Sequence, residues 1–169
     1  MGIEIERKFL VRNDAWRSGI QGSYPCTQGY IGLQGPGSAR VRIIGSKGFL
    51  TLKGPRHGIS RSEFEYEIPI EEAQEILERF CSKALISKVR HEVPYEGHLW
   101  EIDEFSGENN GLILAEVEIA NESEPFVLPD WVGKDISEDE RFFNARLAKH
   151  PISTWLNKPD SKPSPQHSS

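Results

Sequence analysis

The sequence predicts a mainly β protein with a few helices, an antiparallel barrel or sandwich. Three observations predict it. Eight short segments alternate apolar and polar residues with period two. Turn signals separate many of them: Gly35-Pro36-Gly37, Gly45-Ser46, Gly54-Pro55 with Gly58, Glu96-Gly97 and Asn109-Asn110-Gly111. Only two stretches carry helical spacing. Many closely spaced strands of this kind make a barrel or a sandwich.

The segments follow in order. In residues 3–11, Glu4, Glu6 and Lys8 share one face, and Ile3, Ile5, Phe9 and Val11 take the other. Residues 27–31 carry Gln28 and Tyr30 in phase. In 39–43, Arg40 and Arg42 alternate with Val41 and Ile43. In 49–53, Thr51 and Lys53 oppose Leu50 and Leu52. In 61–68, Arg61, Glu63, Glu65 and Glu67 oppose Phe64, Tyr66 and Ile68. A helix is predicted over 71–80, where Ala73, Ile76, Leu77 and Phe80 fall on one stripe. Strands resume at 86–93, with Lys88 and Arg90 opposite Val89. In 99–105, Glu101 and Asp103 oppose Trp100 and Ile102. In 112–119, Glu116 and Glu118 oppose Ala115, Val117 and Ile119. Residues 121–134, with Pro125, Pro129 and Trp131, predict a packed loop. Ser137 and Glu140 fit a capping box opening a second helix through Phe142, Phe143, Ala145, Leu147 and Ala148. One domain is expected over 1–157. Residues 158–169, KPDSKPSPQHSS, have no apolar anchor and predict a flexible tail outside the fold.

Composition narrows the function. At 169 residues the chain is about one domain long and can bury a sizeable core. With 27% charged and 37% hydrophobic residues it is too charged for a membrane protein and too apolar for wholesale disorder. No apolar run of about 18 residues exists to span a membrane. The net charge is −6, from 26 acidic and 20 basic side chains, the wrong balance for a duplex nucleic-acid binder. Two cysteines, Cys26 and Cys81, make no disulfide framework, and the expected compartment is the cytoplasm. The histidines lack metal-site spacing. The glycine-rich run 32–37 lacks the Lys-Ser/Thr of a phosphate loop and precedes a strand. No Gly-x-Ser-x-Gly or Cys/His pair supports covalent hydrolysis.

Alternation in any one strand is what a half-exposed antiparallel strand looks like. Together the strands say more, because their in-phase positions are nearly all ions. Nine carboxylates (Glu4, Glu6, Glu63, Glu65, Glu67, Glu101, Asp103, Glu116, Glu118) accompany six cations (Lys8, Arg40, Arg42, Lys53, Lys88, Arg90). Like charges at i and i+2 repel by on the order of 2 kcal/mol at ~7 Å and an effective dielectric of ~20. A surface strand gains nothing from that. A site that binds a polyanion together with metal cations does. Arginine and lysine rows donate to phosphate oxygens. Carboxylate rows offer hard oxygen ligands to Mg²⁺ or Mn²⁺. An eight-stranded barrel has room inside for side chains or one small ligand. The apolar faces would then point outward. The two helices would cover part of them, and a homodimer is one way of covering the rest.

Glu4-Ile5-Glu6-Arg7-Lys8 forms an E-x-E-x-K motif that resembles the defining motif of the CYTH superfamily, the triphosphate tunnel metalloenzymes. Arg40-Val41-Arg42, Thr51-Leu52-Lys53-Gly54, the E-x-E-x-E at 63–67, Lys88-Val89-Arg90, Glu101-Ile102-Asp103 and Glu116-Val117-Glu118 resemble the family's other strands, in family order. Asp139-Glu140-Arg141-Phe142 and Ala145-Arg146-Leu147-Ala148 resemble the last helix of small bacterial members. The resemblance covers about residues 1–150.

It implies an eight-stranded antiparallel closed β-barrel, a tunnel with a charged interior and a few flanking helices. It also implies hydrolysis of inorganic triphosphate with Mg²⁺ or Mn²⁺, and nucleoside triphosphates as further substrates. Glu4, Glu6, Glu116 and Glu118 would hold the metal. Lys8, Arg40, Arg42, Lys53, Lys88, Arg90 and Arg141 would grip the triphosphate. Glu63, Glu65, Glu101 and Asp103 would support as ligands, water positioners or partners of the cations. Lys88, with Tyr30 and Lys8, would carry the catalysis, since a lysine packed among cations loses proton affinity. Three alternatives stand beside this: an adenylate cyclase or thiamine triphosphatase of the same superfamily, a non-catalytic polyphosphate- or nucleotide-binding module, and an acidic barrel scaffold with its charges outside.

Overall fold

Nine strands form one antiparallel sheet: β1 (Gly2–Val11), β2 (Gly22–Ile31), β3 (Ser38–Ile44), β4 (Lys47–Lys53), β5 (Ser60–Ile68), β6 (Ile86–Tyr95), β7 (His98–Phe105), β8 (Ile113–Glu118) and β9 (Val132–Asp135). Two α-helices accompany them, α1 (Ile70–Arg79) and α2 (Asn144–Lys149). The computed structural model describes residues 2–81 and 85–159. The expected tail at 158–169 therefore lies almost wholly outside the described residues.

The sheet runs β5-β4-β3-β2-β6-β7-β8-β1-β9, and a further β1–β5 pairing closes the first eight strands into a ring. That pairing joins Gly2–Ile5 to Ser60–Glu63. Beyond Ile5, β1 turns to β8, pairing Glu6 with Glu118 and Lys8 with Glu116. The barrel, rather than the sandwich, is what the sequence becomes. Closure leaves no long free edge.

The parity of the strands decides which side chains enter. Phe9, Val11, Trp100, Ile102, Ala115 and Val117 cluster on the outside, beneath Trp16, Trp131 and Val132. Trp16 belongs to a short 3-10 turn, Ala15–Gly19, that the periodicity did not signal. The stretch predicted as a packed loop does pack. Its last three residues and Asp135 after it also form β9, which pairs with β1 at Phe9 and Val11. Helix α1 lies across β3 and β4, with Ala73 and Leu77 against Val41. Leu52, Phe64 and Tyr66 on β4 and β5 stay exposed.

The last helix does something other than expected. Ile86, Phe105, Leu112 and Leu114 are in phase with Lys88, Asp103 and Glu116, so they point inward. They pack with Phe142, Leu147 and Ala148. The helix therefore closes one end of the barrel instead of covering an outer face, and the charged interior ends on an apolar floor. The capping box does not form. The Ser137 hydroxyl accepts from the Lys8 backbone N–H at 2.8 Å and donates to Asp135 at 2.6 Å. A strand donor at the β1–β9 junction takes the hydroxyl that the sequence offered to a helix. The helix shortens to a 3-10 turn at Glu140–Phe142, capped by Asp139, followed by α2.

Candidate active site

The charged faces of the strands surround a cavity of about 440 Å³. Glu4, Glu6 and Lys8 enter it from β1, Tyr30 from β2, Arg40 and Arg42 from β3, and Lys53 from β4. Arg61, Glu63 and Glu65 enter from β5, Lys88 and Arg90 from β6, Glu101 from β7, and Glu116 and Glu118 from β8. The Arg40 and Arg42 side chains are 12% exposed and that of Glu63 25%. An acidic scaffold with its charges outside would show the reverse.

Three residues named from sequence lie elsewhere. Glu67 is exposed and does not line the cavity. Asp103 points inward but is buried beneath the lining, where it holds Lys88 and Arg90. Arg141 sits outside, forked onto Asp139 and resting on the Phe142 and Trp155 rings. Five cavity residues with charged, aromatic or amide side chains were not singled out: Arg56, Arg61, Glu140, Phe143 and Asn144. Arg61 had a signal, being in phase with Glu63 and Glu65. The other four come from a loop and a shortened helix, where period two has no meaning.

By formal charge the lining is balanced. Eight carboxylates (Glu4, Glu6, Glu63, Glu65, Glu101, Glu116, Glu118, Glu140) face eight cations (Lys8, Arg40, Arg42, Lys53, Arg56, Arg61, Lys88, Arg90). Lys53 bonds Glu4 at 2.8 Å and stands 3.5 Å from Glu63. Lys8 is 3.3 Å from Glu116. Arg40 and Arg42 share Glu65, and Thr51 links that carboxylate to Arg40. Arg90 forks onto Asp103 with two bonds of 2.8 Å and reaches Glu116 at 3.0 Å. Among the described residues, Nε of Arg40, Arg42 and Arg56 is buried with no hydrogen-bond partner. Each such group costs roughly 1–3 kcal/mol or more until an acceptor arrives.

A second network joins the catalytic candidates. Gln28 Nε2 donates to the Tyr30 hydroxyl at 2.7 Å and to Asn144 Oδ1 at 3.3 Å. Lys88 Nζ donates to the same Asn144 oxygen at 2.9 Å and to Asp103 at 2.8 Å. Tyr30 and Lys88 are thus connected through two amides. Burial lowers the proton affinity of Lys88, and Arg90 adds to this while Asp103 opposes it. Burial raises Tyr30, so it stays an O–H donor at neutral pH.

The carboxylates split into two kinds. Burial would raise Glu116, but Lys8 and Arg90 bring it down to about 2. Burial would raise Glu4 too, and Lys53 reverses it. Glu6 is pushed up to about 8 by burial and by the neighbouring Glu116 and Glu4. Burial and Glu4 also raise Glu118, the register partner of Glu6. Crowded carboxylates that resist ionising fit the chemistry of a hard divalent cation. Among the described residues no three acidic side chains already converge at ligand distance. Glu4 and Glu116 are instead held by lysine and arginine partners. The donor set fits an ion by type and sign, and closing on it would loosen those pairs.

The sequence profile of the CYTH domain family matches residues 2–147. Over 155 residues the chain is 49% identical to an inorganic triphosphatase of Acetivibrio thermocellus, covering 92% of this chain and 99% of that protein. It is 35% identical over 150 residues to an inorganic triphosphatase of Nitrosomonas europaea, covering 86% and 96%. The fold matches the crystal structure of an inorganic triphosphatase at TM-score 0.63 with 32% identity, across 86% of this chain and 97% of that one. A conserved hypothetical protein from Pyrococcus furiosus shares the fold at TM-score 0.56 and 22% identity, across 71% and 80%.

Proposed function

The chain belongs to the CYTH domain family, and from that premise we propose that it hydrolyses inorganic triphosphate inside its barrel with the help of a divalent metal ion. The observation that carries this reading is the set of buried, unpartnered guanidinium Nε groups on Arg40, Arg42 and Arg56. They ask for an anion with several oxygens, and the two curated relatives are inorganic triphosphatases. The almost wholly ionic lining suits a bare phosphate chain better than a base or a thiazolium ring. Nucleoside triphosphates are weaker substrates on this reading. Among the described residues no helix is long and apolar enough to cross a membrane.

In the proposed reaction, Arg40, Arg42, Lys53 and Arg90 turn N–H groups from their carboxylate partners onto the phosphoryl oxygens and align the chain. Water attacks a terminal phosphorus in line. The new P–O bond forms as the bridging P–O bond breaks, giving pyrophosphate and a phosphate that keeps the water's proton. Lys8 neutralises charge on the transferred group. Lys88, with its lowered proton affinity, hands a proton to the leaving oxygen, while Tyr30 donates from the same wall. Glu4, Glu6, Glu116 and Glu118 would hold one Mg²⁺ or Mn²⁺, which neutralises phosphoryl charge and lowers the pKa of water. Glu63, Glu65 and Glu101 keep the cations in place between turnovers.

Lys88→Met tests the assignment. It is expected to lower kcat for triphosphate by about 10²-fold or more, with a smaller change in KM. Near-normal kcat in a folded variant would remove Lys88 from the chemistry.

A further inference from the structure

Resting on the triphosphatase reading, we propose that Arg56 is a further phosphate-binding residue, presented by the β4–β5 connection and held in place by the ring of Phe143, and that it takes the terminal phosphoryl group of the bound chain.

Commitment elsewhere singles Arg56 out. The cations that β1, β3, β4 and β6 send into the cavity each stand within 4.0 Å of a carboxylate. Arg61 is committed to its own loop, donating through Nε and an NH₂ group to the Gly54 carbonyl at 3.1 and 2.9 Å. Among the described residues, Arg56 alone of the cavity cations has neither an ion pair nor a hydrogen bond, and its Nε is buried.

Its position is nevertheless fixed. The guanidinium carbon lies 4.0 Å from the centroid of the Phe143 ring. Stacking of this kind holds the plane of the guanidinium and leaves its N–H edge free. The base of the loop is fixed as well. Gly54 N–H donates to the Ser62 carbonyl at 2.9 Å. A Cβ at Gly54 would stand 2.5 Å from the Ser62 hydroxyl, so a larger residue there would have to turn that hydroxyl away. A pre-oriented cation with a buried Nε and no counterion at the wall of an anion-binding cavity is ready to fork onto phosphate oxygens. Arg56 reaches in from a connection rather than a strand, so it meets the end of the chain and not its centre.

The experiment uses the full chain with its metal. First, wild-type protein is assayed for phosphate release from inorganic triphosphate. No release would overturn the functional reading itself. With release established, Arg56→Gln is expected to raise KM for triphosphate about tenfold or more, the loss of one charged hydrogen-bonding group, with kcat little changed. Pyrophosphate, too short to reach Arg56, should lose far less as a competitive inhibitor. Phe143→Leu should raise KM to an intermediate degree. Arg56→Lys, which can neither stack flat nor fork, should shift KM the same way and replaces the glutamine variant if that fails to fold. An unchanged KM, an equal loss for pyrophosphate, or a fall in kcat at constant KM would each overturn the role of Arg56.

Discussion

Asp103→Ala is expected to cost about 3–5 kcal/mol of folding stability, because it strands two buried cations. Lys88 and Arg90 both bond this carboxylate, three times in all, at 2.8 Å. Both Lys88 and Asp103 side chains are 2% exposed. Burial alone would raise the carboxyl group. The two cations outweigh that and hold it well below its ordinary value of 3.8. An acid depressed in the folded state contributes stability above its unfolded pKa and loses it as the pH falls through the folded pKa. The gap between wild type and Asp103→Ala should therefore be full at pH 7 and pH 5 and begin to narrow only below about 3.8. Urea unfolding at those pH values measures it. Lys88→Met should cost less, since Arg90 still holds the carboxylate. A loss below about 1 kcal/mol for Asp103→Ala would mean that the pair behaves as a surface ion pair.

Glu6→Gln is expected to move activity and stability in opposite directions. Hydrolysis should fall by about 10²-fold or more, the loss of one metal-binding carboxylate. The metal-free protein should become more stable. Glu6 is raised from 4.5 to about 8 in the fold. A carboxyl raised on folding contributes stability that is complete below its unfolded pKa and is lost as the pH rises through the folded value. Glutamine never ionises, so the variant should match wild type near pH 4, gain on it between 4.5 and 8, and hold the gain above. On the order of 1–3 kcal/mol is expected, allowing for water in the cavity. Thermal unfolding in EDTA across this range reads it. A variant less stable than wild type at pH 9 would contradict the crowding of Glu4, Glu6 and Glu116.

Much of this site was legible because a strand has a period of two. Once Glu4, Glu6 and Lys8 are known to share a face, closure of the ring carries them inside, and the same holds for Arg40/Arg42 and Glu116/Glu118. The period does not say where along a strand the cavity ends. Glu67 is in phase with Glu63 and Glu65 yet exposed at the end of β5, and Asp103 is in phase with Glu101 yet sealed beneath the cavity lining. The acidic surplus counted from the strands is therefore not a surplus in the cavity, where Arg56 and Arg61 restore the balance. The plug was hidden for a different reason. Phe142 and Leu147 read as one face of an outer helix, and only the inward parity of Leu112 and Leu114 gives them a partner at the end of the barrel. Asn144 could not be found from spacing, because its role depends on where that plug docks.

The central claim is that the cavity takes a bare triphosphate and hydrolyses it with a divalent cation. A phosphate-release panel tests it most directly, with inorganic triphosphate, ATP, thiamine triphosphate, pyrophosphate and longer polyphosphate, each with Mg²⁺, Mn²⁺ or EDTA. The predicted result is strong release from inorganic triphosphate with metal, weaker release from the organic triphosphates, and none in EDTA. Release that persists unchanged in EDTA, or no release from triphosphate with either metal, would contradict it.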